Sequence, residues 1–165
     1  MDRRALALFV GGVLSLATLS TRVTAQSGVY AKLVGTWVMD STNGPDDHGQ
    51  PKSETLVFSW SGKSLRISAT TDEGTGAGTS AFDCTTTSGG GTTELGGGVS
   101  THCTPRAYAD SVVYAVEVLK GGQVVATEHG RLVISGKGTT LRDEYDATSG
   151  GSAPTHHRHV YTKQS

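Results

Sequence analysis

Residues 56–69 read LVFSWSGKSLRISA, and they close on themselves when Gly62-Lys63 is taken as a two-residue turn. Leu56, Phe58 and Trp60 then oppose Ala69, Ile67 and Leu65 on one side of the pair, while Ser59, Arg66 and Ser68 share the other. Glycine at the first turn position supplies the positive φ of a type II′ turn, whose twist matches that of the flanking strands. A slip of one residue would move the large apolar side chains to the opposite face. The stretch therefore predicts an antiparallel hairpin with one buried face.

Two further hairpins extend the pattern. A turn at Gly121-Gly122 sets Val118 opposite Val125, Val116 opposite Thr127 and Tyr114 opposite His129, leaving Glu117, Ala126 and Glu128 on the outer side. A three-residue loop at Gly136-Lys137-Gly138 sets Val133 opposite Leu141, Arg131 opposite Asp143 and His129 opposite Tyr145. The two registers agree on one inward face. It is apolar near one end and carries Tyr114, His129, Arg131, Asp143 and Tyr145 near the other. Glycine is abundant (23 residues) and proline scarce (4), so tight turns are cheap and frequent. No window after the first 25 residues sustains an i, i+3, i+4 apolar repeat. Short alternating strands joined by turns predict an all-β fold, a single antiparallel up-and-down barrel of about 8–10 strands. The glycine-rich stretches 72–78 and 88–98 read as loops. The first contains G-x-G-x-G, but no helix follows to present amides to a phosphate.

The N-terminus sets the compartment. Met1-Asp-Arg-Arg4 is a basic start, residues 5–19 are apolar, and Val23 and Ala25 have the spacing of a signal-peptidase site. Residues 1–25 are expected to be a cleaved signal peptide and 26–165 one exported domain, periplasmic or secreted. The apolar run is too short for a membrane span, which takes about 20 residues. The remaining 140 residues hold 11 basic and 14 acidic side chains, a net charge of −3. That balance argues against a nucleic-acid partner, which needs a basic patch. Cys84 and Cys103 are the only cysteines. In an exported chain they are expected to form a disulfide, with ligation of a metal as the other use of two thiols.

Residues 33–38, Leu-Val-Gly-Thr-Trp-Val, place a G-x-W at the start of the exported domain. Lys52-Ser-Glu-Thr55, Lys120-Gly-Gly-Gln-Val124, Arg131-Leu-Val-Ile-Ser135 running on to Leu141, and Val160-Tyr-Thr-Lys163 follow in order. Together they resemble the lipocalin-like (calycin) β-barrels, and more closely a group of small exported bacterial proteins of that type whose function is uncharacterised. Residues 41–49 depart from the lysine- and proline-rich loop of that group, and the cysteine pair is not part of its pattern. The resemblance implies that Gly35 and Trp37 are structural. Trp37 would pack across a closed barrel end, under an arginine such as Arg131 or Arg158.

A barrel of this size encloses either packed side chains or one small ligand. Tyr114, His129, Arg131, Asp143 and Tyr145 are the candidate ligand-binding residues, with Arg131, His129 and Tyr145 orienting a carboxylate- or phenol-bearing molecule. Trp60, Phe58, Ile67, Tyr114 and Val116 would cover its apolar part. The same residues would also serve as a satisfied polar layer at one barrel end that fixes register. His157 and His159 share a strand face and are the weak metal candidates, with zinc or haem as the cofactor they would hold. No cofactor is otherwise expected. No nucleophile motif accompanies the many serines and threonines. The expected function is non-catalytic binding of a small hydrophobic or amphipathic molecule. A structural or protein-interaction module with a filled interior is the alternative.

Overall fold

The computed structural model of the chain describes residues 28–40 and 51–165. The expected signal peptide, its cleavage site and the loop at 41–49 lie outside the described residues. Ten antiparallel strands follow one another around a barrel: β1 (Gly35–Met39), β2 (Ser53–Trp60), β3 (Ser64–Asp72), β4 (Ala77–Thr85), β5 (Gly91–Gly96), β6 (Val99–Ala107), β7 (Ser111–Lys120), β8 (Gln123–Ser135), β9 (Thr140–Ser149) and β10 (Thr155–Lys163). Strands adjacent in sequence pair with each other except β4 and β5, and β1 pairs with β10. The ladder is interrupted only between β4 and β5. Across that seam the Asp83 amide donates to Thr93 Oγ1 at 2.9 Å. Gly91 permits the approach, since a Cβ there would lie 2.4 Å from the Asp83 carbonyl oxygen. The Cys84–Cys103 disulfide, expected from compartment alone, joins β4 to β6 beside the seam.

The hairpin at residues 56–69 has the predicted register: Leu56, Phe58 and Trp60 pair with Ala69, Ile67 and Leu65. Its turn lies at the same barrel end as Gly35 and Lys163, and that end is closed. A helical turn over residues 28–33 buries Val29, Tyr30 and Leu33 there. Tyr30 stacks on Trp60 with centroids 4.3 Å apart, and its phenol pKa is pushed up to about 12 by burial. Trp37 is 0% exposed. Its indole Nε1 donates to the Leu33 carbonyl at 2.7 Å, so strand and helical turn are joined by one buried bond. The cation over the ring is Lys163, 5.0 Å from the centroid, and not Arg131 or Arg158. Register explains this: Lys163 is the direct partner of Trp37 on β10. Gly35 holds φ at +128°, and a Cβ on it would come within 3.0 Å of the Lys163 stem. The helical turn has too few apolar positions to show a period of 3.6, which is why the sequence pattern does not announce it.

Strand β8 departs from the expected register. The turn at Gly121-Gly122 pairs Lys120 with Gln123 and Leu119 with Val124, but Val118 then pairs with Ala126. Val125 is the extra residue of a bulge, and its carbonyl accepts from the Gly150 amide at 3.1 Å. At the other end the loop takes four residues. Thr139 closes it, its amide (3.3 Å) and hydroxyl (2.6 Å) both bonding the Gly136 carbonyl. Ser135 therefore pairs with Thr140, Leu132 with Asp143 and Gly130 with Tyr145. Both corrections displace β8 by one residue in the same sense, so the two predicted hairpins agreed while both were shifted. The expected pairs Arg131–Asp143 and His129–Tyr145 do not form. Arg131 opposes Glu144 and His129 opposes Asp146, with His129 and Arg131 exposed on the outside. The inward residues of β8 are Glu128, Gly130, Leu132 and Ile134.

Candidate functional site

Above the plugged end the barrel encloses a cavity of about 210 Å³. Leu56, Phe58, Ile67, Ala69, Phe82 and Leu132 form its apolar wall. They are the inward positions of β2, β3, β4 and β8, alternating as half-buried strands require. Val116 lies nearer the mouth, in a space that adjoins Glu128, and Trp60 packs at the closed end instead.

The opposite wall is polar. The Tyr114 hydroxyl donates to Asp143 Oδ1 at 2.9 Å. Its ring crosses β8 at Gly130, where a Cβ would stand 2.4 Å from both the ring Cζ and the hydroxyl oxygen. Any other residue at 130 would displace Tyr114 from Asp143. Asp143 is only 8% exposed. Burial pushes its carboxyl well above the usual range, and the nearby Glu128 charge pushes further in the same direction, against the Tyr114 hydrogen bond. Burial also raises Glu128. Glu54, from β2, behaves oppositely. Burial alone would raise it, but hydrogen bonds from His159, Tyr161 and Thr71 hold it below its ordinary value. Thr71 Oγ1 donates to Glu54 Oε1 at 2.8 Å, and the Tyr161 hydroxyl donates to Glu54 Oε2.

These shifts set a pH dependence. A carboxyl raised in the folded state contributes stability that is complete below its unfolded pKa, about 4, and is lost as pH rises through the folded value. Asp143 and Glu128 therefore weaken the fold on going from acid to neutral pH. Glu54, held low, contributes above the unfolded value and loses its contribution only as pH falls through its own. Glu54 and Glu144 also raise Asp143, Tyr161 interacts with its charge, and His159 is its cross-strand neighbour on β10. Asn at 143 keeps the shape and cannot ionise. Asp143→Asn is expected to melt higher than the wild type at pH 8 and to flatten the decline between pH 5 and 8. An unchanged slope in thermal melts across that range would contradict this.

Of the five residues singled out from the sequence, Tyr114, Asp143 and Tyr145 line the cavity. His129 and Arg131 do not. They border a broad groove on the outer surface with Arg106, Glu144 and Asp146, and Arg131 Nη2 donates to Ser111 Oγ at 3.0 Å. His157 and His159 share the inner side of β10, as the alternation predicts, with centroids 6.3 Å apart. Tyr145 stacks on His157 at 4.8 Å and meets His159 edge-on at 5.7 Å. Among the described residues no group of three His, Cys, Asp or Glu side chains is placed to hold a metal ion. Glu54, Glu128 and Tyr161 are functional candidates that the sequence reading passed over. Glu54 was legible, because it shares the Leu56–Phe58 face by strict alternation. Glu128 was hidden by the unforeseen bulge.

No protein-family model matches the chain, and no curated protein matches it. Among solved structures it is similar to a REP1-NXSQ fatty acid transporter, with a TM-score of 0.49 and 13% identity, covering 82% of this chain and 98% of that one.

Proposed function

We propose that the protein is exported and binds a small, partly apolar molecule inside its barrel without transforming it. The cavity carries this reading. One wall is hydrocarbon and aromatic, the other brings carboxyl and phenol groups to the same space, and one barrel end is plugged. That combination suits a site that desolvates an apolar body and orients a polar head. Export is supported by the leader-like composition of residues 1–25 and by the disulfide, which oxidising compartments favour. No helix among the described residues is long and apolar enough to cross a membrane.

Native mass spectrometry of the protein purified from its own host is expected to show a non-covalent adduct. Ala69→Phe, which fills the cavity from β3, is expected to abolish it while the fold persists. A clean apo mass, with no thermal shift across a panel of small amphipathic compounds, would favour a structural module instead. Elemental analysis and a Soret-region spectrum of the same sample report on zinc or haem at His157 and His159.

A further inference from the structure

We infer that the cavity selects an organic cation, a compact amine whose ammonium group meets Asp143 and Glu128 while its apolar body packs against Phe58, Ile67 and Leu132. The inference rests on the reading of the cavity as a binding site and adds the chemical class of the ligand. Among the described residues three carboxyl groups, Glu54, Glu128 and Asp143, line the cavity, and no lysine or arginine does. The arginine expected to orient an anion, Arg131, is on the outer surface. The two imidazoles on the inner side of β10 do not outnumber the three acids.

The hydrogen-bond inventory points the same way. Glu54 is supplied with donors by Thr71 and Tyr161. Asp143 and Glu128 both draw on the Tyr114 hydroxyl, which has one proton to give, and Asp143 holds it at 2.9 Å. His157 and His159 are the charged neighbours that favour the Glu128 carboxylate, and a further counter-charge stabilises a buried carboxylate. An ammonium group brings three donors and that charge together. Burial raises both carboxyl pKa values, the direction that an ammonium group beside them would oppose. The aromatic rings of Tyr114, Tyr145 and Tyr161 around the same space would also face a cation favourably. A carboxylate ligand would instead add a fourth acid. Size favours a compact molecule: an engineered apolar cavity of about 150 Å³ accommodates benzene, and this one is moderately larger.

Three probes with one body and different heads test the inference: 2-phenylethylamine, 2-phenylethanol and phenylacetate, titrated by calorimetry at pH 7. The amine is expected to bind about tenfold or more tightly than the alcohol, as charge-assisted hydrogen bonds are the stronger kind, and phenylacetate not measurably. Glu128→Gln and Asp143→Asn, each confirmed folded by thermal melting, are expected to bring the amine down to the alcohol's affinity and leave the alcohol unchanged. If Asp143→Asn does not fold, Glu128→Gln alone decides. Equal or tighter binding of phenylacetate, or an amine preference that survives Glu128→Gln, overturns the cation inference and leaves the cavity as a binding site. Failure of all three probes to bind, with Ala69→Phe indistinguishable from wild type, overturns both.

Discussion

Trp37→Ala is expected to destabilise the protein by about 3–5 kcal/mol, the range for removing a large aromatic side chain from a core. Three losses coincide at this position. The indole is fully buried, so the vacated volume cannot be filled by water without exposing Leu33 and Tyr30. Its Nε1 bond to the Leu33 carbonyl disappears, leaving a buried acceptor without its donor. Lys163, drawn over the ring at 5.0 Å, loses the aromatic face beneath it. The last contribution is small, about 0.5–1 kcal/mol at an exposed edge. The helical turn over residues 28–33 is short and owes its position to packing, so it is expected to detach first. Urea denaturation measures the total, and hydrogen exchange at the Val34 amide, which bonds Tyr30, reports on the turn. Trp37→Phe should recover most of the packing but not the hydrogen bond. A loss below about 1 kcal/mol for Trp37→Ala would show that the plug is not a structural centre.

Cys84→Ala with Cys103→Ala is expected to cost roughly 3 kcal/mol by the loop-entropy account, for a bridge of sequence separation 19. Both sulfurs are fully buried. The location matters more than the count. Where β4 and β5 do not pair, the bridge is the covalent link across the barrel's open ladder, assisted by the Asp83–Thr93 hydrogen bond. Its loss is expected to act locally before it acts globally. Amide exchange at Asp83 should accelerate by more than exchange in β8 or β9. Urea midpoints with and without reductant give the global cost for the wild type. Uniform acceleration at Asp83 and in β8 would show that the seam is no weaker than the rest of the sheet.

The architecture was legible because its evidence is redundant. Residues 56–69 place large apolar groups on a single face in one register only, and turn glycines mark most hairpins. The cysteine pairing needed nothing beyond compartment. The closed end was half legible: Trp37 as a plug came from the resemblance, but its partner cation depends on how far β10 runs, which places Lys163 rather than an arginine opposite it. The candidate site was least legible. Tyr114, Asp143 and Tyr145 keep their predicted faces because β7 and β9 do. His129 and Arg131 lose theirs because β8 absorbs an extra residue at Val125, and alternation cannot detect a bulge whose two sides read equally well. Both faces of β8 mix polar and apolar residues, so hydrophobicity did not choose between them.

The surplus residue at Val125 has a consequence for how this interior came by its sign. The same β8 sequence, slid by one position with that residue spent in the turn before Thr140, would present His129 and Arg131 inward in place of Glu128 and Gly130. The interior would then attract anions. Gly130 forbids it, because the slid strand would drive a side chain through the space of the Tyr114 ring. Which charged residues of β8 face the chamber is thus written partly in hairpin lengths remote from it, with one glycine as the lock. Insertions and deletions in those hairpins, accompanied by a smaller side chain at Tyr114, would turn the other face of β8 inward.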